Sequence, residues 1–520
     1  MKIFLGIELG STRIKAVAID QGGKPLASGG FDWENRFENS VWTYRLDDAW
    51  HGIQESLALL SVDYQNKHNE PLPEISGMGV SAMMHGYLVF DKDYNQLTDF
   101  RTWRNTMTEV ASTRLTELFK FKIPQRWSIA HMYHAVAGRE SHVNDVKYLT
   151  TLAGYVHYKL TGENVVGIGE ASGMFPIDSD TNDYDMSKVK QYEELVAEYN
   201  LPWKISEVLP NVLVAGENAG CLTEEGAKLL DPSGKIKPGI PLCPPEGDAG
   251  TGAVATNTIE PGTGNISAGT SIFATLTLEK ALKKFHKDID LLAAPSGKPA
   301  AMVHCINGTV DLDGWINMFA EMLTQMGKTP DMTELYRTLY NAALSGDSDC
   351  GGLVSVNYLA GEYRTGFSEG RPFVARTPES KFTLENFMRT LLFSTVATVR
   401  IGIEPLIVEE GIELSKIVGH GGLFKTAVVG QKLMAGALNI PVAVMETAGD
   451  GGAWGAALLA AYSVVKDDNE TLDEFLAAKI FADSKVSTIV PDTLDVEGFN
   501  AYLTRYRAAL NVERAAVENL

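Results

Sequence analysis

An α/β protein made of two similar halves is the fold class these 520 residues predict. Three observations predict it. Short apolar strand runs alternate with segments of helical spacing. A hairpin turning on glycine and hydroxyl residues near the start is echoed about 260 residues later. Between the two copies, residues 232–245 crowd Pro232, Gly234, Pro238, Gly239, Pro241, Pro244 and Pro245 together, and that stretch punctuates the chain.

The elements follow in order. Lys2 to Asp20 reads as a hairpin: an apolar strand from Ile3 to Leu9, the turn Gly10-Ser11-Thr12, and a second apolar stretch from Ile14 to Ile19. Trp42 to Leu60 carries partial helical spacing. Ile75 to Met84 is a buried strand ending at His85-Gly86, and Tyr87 to Phe90 is another strand before the turn Asp91-Lys92-Asp93. Val143 to Leu160 is expected to form one long helix closed by Thr161-Gly162. Beyond the proline-rich run, Asn265 to Ala274 repeats the pattern strand, Gly269-Thr270-Ser271, strand. Thr383 to Ile403 is a second long helix with Thr383 as its N-cap. At about 150 residues per domain the length allows two to four domains. The punctuation narrows this to two, residues 1–252 and 253–520.

Composition excludes some partners. Lys and Arg total 45 against 66 Asp and Glu, a net charge of −21, with no run of Lys or Arg. Duplex binding needs clustered cations to neutralise phosphates, so nucleic acid is not an expected partner, and an acidic membrane surface is disfavoured on the same ground. The start lacks a signal h-region and no uninterrupted apolar run approaches 18 residues, so no spanning helix is expected. Cys221, Cys243, Cys305 and Cys350 are scattered without a C-x-x-C pair and read as small buried side chains of a reducing compartment. The expected location is the cytoplasm.

Several segments can carry chemistry. Turns of glycine and hydroxyl residues offer backbone N–H groups to a phosphate without needing basic side chains. Gly10-Ser11-Thr12 and Gly269-Thr270-Ser271 both qualify, although each also reads as an ordinary hairpin turn. Glu8 puts a carboxylate on an otherwise apolar strand, which is costly unless it is paired or serves a hydrated metal ion. Asp248 opens a Gly- and Ala-rich segment at a helix N-terminus, where it is either a base for a substrate hydroxyl or a simple N-cap. Gly419-His420-Gly421-Gly422 joins an apolar strand to a helical stretch from Lys425 to Leu438, and it matches neither G-x-G-x-x-G nor a P-loop. Asp450-Gly451-Gly452 is a further glycine turn into a helix. Met84-His85-Gly86 and Trp103-Arg104-Asn105 mix aromatic, cationic and amide groups, as sugar sites do.

Together these pieces resemble the FGGY family of carbohydrate kinases, from about Phe4 to about Tyr462. Gly6 to Lys15 resembles the family's first phosphate hairpin, and Ser81 to Gly86 the Q-M-H-G sugar-binding segment of xylulokinases, so that within the family the chain resembles the pentulose kinases (xylulokinase and ribulokinase). Thr161-Gly162-Glu163 and Glu170-Ala171-Ser172-Gly173 resemble L-T-G-E and D-A-S-G. Gly247-Asp248-Ala249 resembles the catalytic-base segment, Ser267 to Ser271 the second phosphate hairpin, and Gly421-Gly422 through Lys425 and Gln431 the adenosine-binding segment. The order and spacing of these motifs carry the resemblance.

The resemblance implies two ribonuclease-H-like (actin-like) domains facing a catalytic cleft, an N-terminal sugar-binding one and a C-terminal ATP-binding one. It implies ATP-dependent phosphorylation of a ketopentose of the D-xylulose or L-ribulose class, with Asp248 as general base. Met84, His85, Trp103, Arg104, Asn105 and Asp248 would hold the sugar. Gly10, Ser11, Thr12, Lys15, Gly269, Thr270, Ser271, Gly421, Gly422 and Lys425 would hold ATP, and Glu8 would serve Mg²⁺. The expected partner is a small sugar, with a homodimer as the assembly to test. This chain departs from the family pattern at Glu8, where Asp is usual, at Glu170, and at Asn105, where an amide replaces a sugar-binding carboxylate. Another sugar or polyol therefore stands as an alternative acceptor. A catalytically silent sugar sensor on the same scaffold and an actin- or chaperone-like ATPase are rival readings.

Overall fold

The computed structural model describes residues 2–445 and 451–520. Two compact units share the chain. Unit 1 takes Met1–Glu260, Glu279–Ala300 and Gly449–Ser484, and unit 2 takes Pro261–Leu278, Ala301–Ala448 and Lys485–Leu520. The cut expected after Gly252 falls inside a helix, Asp248–Ala255.

Unit 1 is organised by a five-stranded sheet. Its strands are β1 (Ile3–Leu9), β2 (Arg13–Asp20), β3 (Pro25–Asp32), β4 (Ile75–Ala82) and β5 (Glu246–Gly247), in the order β5-β4-β1-β2-β3. β1 pairs antiparallel with β2, and β2 with β3, while β4 lies parallel to both β1 and β5. Alternation along β1 sorts the faces. Ile3, Leu5, Ile7 and Leu9 join the core with Trp50, Ile53, Leu57 and Leu60 of helix α1 (Leu46–His68). Gly6 faces the other way, toward a second helix, Gly451–Val465. That helix is apolar on every side and almost wholly buried. It lies so close that a Cβ on Gly6 would stand 1.9 Å from the Ala453 carbonyl oxygen, and one on Gly79 2.2 Å from that of Ala456. Glycine is required there for contact between backbones.

Unit 2 repeats the plan. Its hairpin is β6 (Thr263–Ala268) and β7 (Ile272–Thr277), antiparallel, with β8 (Pro299–Cys305) beside β7. On the other side β6 runs parallel to β9 (Lys416–His420), β9 runs parallel to β10 (Val442–Met445), and β11 (Val486–Ile489) closes that edge antiparallel. Matching the order 8-7-6-9-10 to 3-2-1-4-5 gives the same arrangement, as the echoed hairpins predict.

The core helix of unit 2 is Leu384–Val408, with Thr383 Oγ1 accepting the Asn386 N–H as its N-cap. By length and composition alone this helix could cross a membrane, contrary to the expectation that no such helix exists. Two-thirds of its most apolar stretch, 67%, is buried in the protein. It is apolar because it is surrounded, and its one fully buried cation, Arg389, is paired with Asp495 at 2.6 Å.

Two further expectations need correction. Val143 to Leu160 is not one helix. A 3₁₀ turn at Val143–Asp145 and a strand at Tyr148–Thr150 precede a helix at Leu152–Thr161, and that strand pairs with Leu88–Phe90. Gly162 does close the helix in the left-handed conformation. Of the cysteines, Cys243, Cys305 and Cys350 are buried thiols, but Cys221 is exposed.

Candidate active site

Strand direction assembles the site residues of unit 1. β1, β4 and β5 are mutually parallel, with Leu9 and Gly247 both opposite Ala82. Their C-terminal ends therefore release Gly10-Ser11-Thr12, Met84-His85-Gly86 and Asp248 at one end of the sheet. Ligands of open α/β sheets bind at such ends.

Asp248 is the first residue of its helix, and the N-cap is Gly247, so the carboxylate is not spent as a cap. Its Oδ1 accepts the Met84 N–H at 3.3 Å. Desolvation by the enclosing protein, then the Glu8 charge, pushes this carboxyl up to about 6. The side chain is nonetheless reached by solvent. Behind it lie two buried acids. Glu246 accepts N–H bonds from Gly169 at 3.2 Å and Glu170 at 2.9 Å, yet burial still pushes it up to about 8. Glu170 is completely buried, and burial drives its carboxyl well upward. Burial thus disfavours ionisation of both acids, whereas Asp248 is reached by solvent.

Glu8 lies on the face of β1 that meets the helix Gly451–Val465. Its Oε2 accepts the Ala453 N–H at 3.2 Å, and Lys15 Nζ stands 3.9 Å away. A helix N-terminus and a lysine thus account for an acid on an apolar strand. The first hairpin turn is fixed from outside: Trp33 Nε1 donates to the Gly10 carbonyl at 2.7 Å and Tyr44 Oη to that of Ser11 at 2.5 Å. Thr12 is left exposed at the tip.

His85 is buried with φ of +75°, a strained backbone for a side chain of its size. Its Nδ1 lies 3.2 Å from the Gly173 carbonyl, and its ring stacks on Trp127 at 6.3 Å. Burial, then the Arg126 charge, lowers its pKa to about 3, so the ring is neutral. Trp103 Nε1 donates to Ser11 Oγ at 3.3 Å, which ties this segment to the hairpin. Arg104 lies over the Trp42 ring at 4.0 Å. Asn105 is buried, with its Oδ1 accepting from Trp42 N at 2.9 Å and its Nδ2 donating to Trp42 O at 2.8 Å and Thr102 O at 3.0 Å. Its amide is engaged by backbone.

In unit 2 the parallel pair β6 and β9 sets Ser267 opposite His420. Gly269-Thr270-Ser271 and Gly421-Gly422 consequently emerge side by side. Gly421 has φ of +94°, and a Cβ there would stand 2.5 Å from the Ala268 carbonyl oxygen. The second turn is braced by Gly308 N donating to Thr270 O at 2.8 Å and Thr309 N to Gly269 O at 2.9 Å. Gly421, Gly422 and Lys425 are exposed, whereas Gln431 is buried and donates to Ser487 O at 2.8 Å within the sheet edge. The expected helix from Lys425 starts later, at Val429. Asp450 lies outside the described residues.

Sequence reading undervalued the brace residues Trp33, Tyr44, Trp127 and Gly308, because their signal is an aromatic or glycine with no local motif. Among the described residues no three His, Cys, Asp or Glu side chains form a metal cage.

Two sheets of one strand order, each releasing a glycine-hydroxyl turn from a hairpin, with a carboxylate at the strand ends of one, give the chain the plan of a two-domain actin-like protein. Residues 3–255 match the N-terminal domain, and residues 264–464 the C-terminal domain, of the FGGY family of carbohydrate kinases. The chain belongs to that family, and it is a carbohydrate kinase with two ribonuclease-H-like domains. A xylulose kinase of Haemophilus influenzae is 22% identical over 98% of this chain and 99% of its own. Among solved structures, a ligand-bound xylulose kinase of Lactobacillus acidophilus has a TM-score of 0.78 at 17% identity, covering 98% of each chain. A gluconate kinase of the same organism has a TM-score of 0.79 at 17% identity, also covering 98% of each chain.

Proposed function

We propose that the protein transfers the γ-phosphoryl group of ATP to the terminal hydroxyl of a ketopentose of the D-xylulose or L-ribulose class. The observation that carries this reading is Asp248: a carboxylate not used as a cap, solvent-reached, beside Met84-His85 and backed by the buried acids Glu246 and Glu170. It takes the proton from the sugar hydroxyl as that oxygen attacks phosphorus in line. Met84, His85, Trp103 and Arg104 position the sugar. Asn105 acts through the Trp42 backbone it clamps. Gly10 to Thr12 and Lys15 in unit 1, and Gly269 to Ser271 and Gly421 to Lys425 in unit 2, are the proposed phosphate and nucleotide contacts.

Glu8 fits a hydrated Mg²⁺, because its carboxylate is weakly paired, at 3.9 Å from Lys15, and still raises the pKa of Asp248. The ion would spread the charge of the transferring phosphoryl group. The proposed location is the cytoplasm, where buried free thiols persist.

A second reading, an aldonate as acceptor, is favoured by one observation. The Trp103-Arg104-Asn105 segment presents an exposed guanidinium and no carboxylate. Coupled ADP release over ketopentoses, polyols and aldonates tests both. Turnover with a ketopentose supports the first, turnover with an aldonate alone replaces it, and no rise over ATP alone overturns the kinase assignment to this site. Asp248→Asn is expected to lower kcat by about 10²–10⁴ while ATP binding stays within about twofold, measured by calorimetry.

A further inference from the structure

We propose that unit 1 carries a second ligand site, a basic pocket that takes a small molecule bearing two or more phosphate groups. Its cavity is about 910 Å³, within the ~300–1,000 Å³ of small-molecule sites. Three stretches build it: the residues that follow the helix Glu109–Phe119, the turn and helix start from Ile177 to Lys188, and the segment from Glu279 to Pro299.

Seven lysines line it against four carboxylates: Lys120, Lys122, Lys188, and four between Lys280 and Lys298. The surrounding chain has a net charge of −21, so this local excess runs against the composition. A concave wall with an excess of positive charge raises the local concentration of anions. Lys188 is paired with Asp185, and Lys298 with Glu279 at 3.2 Å. Among the described residues Lys120, Lys122 and Lys280 make no ion pair with a carboxylate. The walls also hold two buried polar atoms without a hydrogen-bond partner, Ser296 Oγ and Asn182 Oδ1. The unpaired lysines and the Ser296 hydroxyl, which can donate, are what a polyphosphate ligand would satisfy, whereas Asn182 Oδ1 can only accept and does not bear on an anion.

The pocket shares a strand with the sugar-side residues. Ile289 and Leu291 face the cavity, while Asp290 between them pairs with Arg126, the cation whose charge acts on His85. Occupancy is therefore expected to change the KM for sugar more than that for ATP.

Calorimetry of inorganic tripolyphosphate binding to the full chain tests the site. The wild type binds, affinity falls as salt rises, and Lys120→Gln/Lys122→Gln/Lys280→Gln weakens binding at least tenfold while the KM for ATP stays within twofold. Lys280→Gln alone weakens it about threefold and serves if the triple variant does not fold. Lys425→Gln, on the nucleotide side, leaves tripolyphosphate affinity unchanged. No binding by the wild type, equal binding by the lysine variants, or loss on Lys425→Gln instead would overturn the site.

Discussion

Asp248 shows what one residue's surroundings decide. Its sequence context already suggested a carboxylate at a helix start, but two uses, base or cap, were open. The N-cap is Gly247, which removes the cap reading and leaves the base as the role proposed for Asp248. The buried acids behind it were not legible at all, because the N–H groups that hold Glu246 come from Gly169 and Glu170, far away in the chain. Asn105 was legible as unusual, but its binding to Trp42 depends on a tertiary contact. The pH dependence follows from the shift. A base active when ionised loses activity as pH falls through its pKa, so kcat/KM is expected to drop below about pH 6. Because the Glu8 charge helps raise that pKa, Glu8→Gln is expected to move the acid limb to lower pH. A limb that stays in place or moves upward in the pH–rate profile would refute the coupling.

Elements explain more of the agreement. Both hairpins were readable because each has its two apolar runs and its turn within fewer than 20 residues. Val143 to Leu160 was misread because its apolar content fits helix and strand alike. The pairing of Tyr148–Thr150 with Leu88–Phe90 decides for strand, and the Thr151 side chain then caps the helix by accepting the Gly154 N–H at 3.2 Å. The bracing of the second hairpin gives a prediction at this scale. A Cβ on Gly308 would stand 2.1 Å from the Gly269 carbonyl oxygen. Gly308→Ala is therefore expected to displace that turn, at a cost of about 1–3 kcal/mol in strain. In steady-state kinetics the KM for ATP should rise about tenfold while that for sugar changes little.

For the whole molecule, the duplicated sheet order was legible from two hairpins, whereas the return of later segments of the chain to unit 1 was not. No composition signal marks residues 279–300 or 451–484 as companions of the first 260. The basic pocket was hidden likewise, because its lysines come from three stretches. Stability should carry an acid-sensitive component. His85 and His131 have pKa values lowered to about 3, and His157 to about 4, each chiefly by burial. Folded values below the unfolded one mean that the native state binds fewer protons. Stability from these groups is complete above about pH 6.5 and is lost as pH falls toward the folded values. Glu246, raised to about 8, acts in the opposite sense over the window between the ordinary carboxyl range and 8. Neither ring nitrogen of His131 has a hydrogen-bond partner, so His131→Phe should remove one such component. Between pH 7 and pH 5 the variant should lose up to about 2 kcal/mol less stability than the wild type in denaturant titrations. An unchanged difference would exclude His131 as a source. The interleaving of the two units also bears on biosynthesis. The sheet made by the first 250 residues needs the helix Gly451–Val465 to cover one of its faces. A nascent chain halted after the first sequence half therefore exposes that face, and a fragment ending near residue 255 should depend on chaperones or aggregate. Unit 1 is begun first on the ribosome and can be completed only after most of unit 2 has been translated.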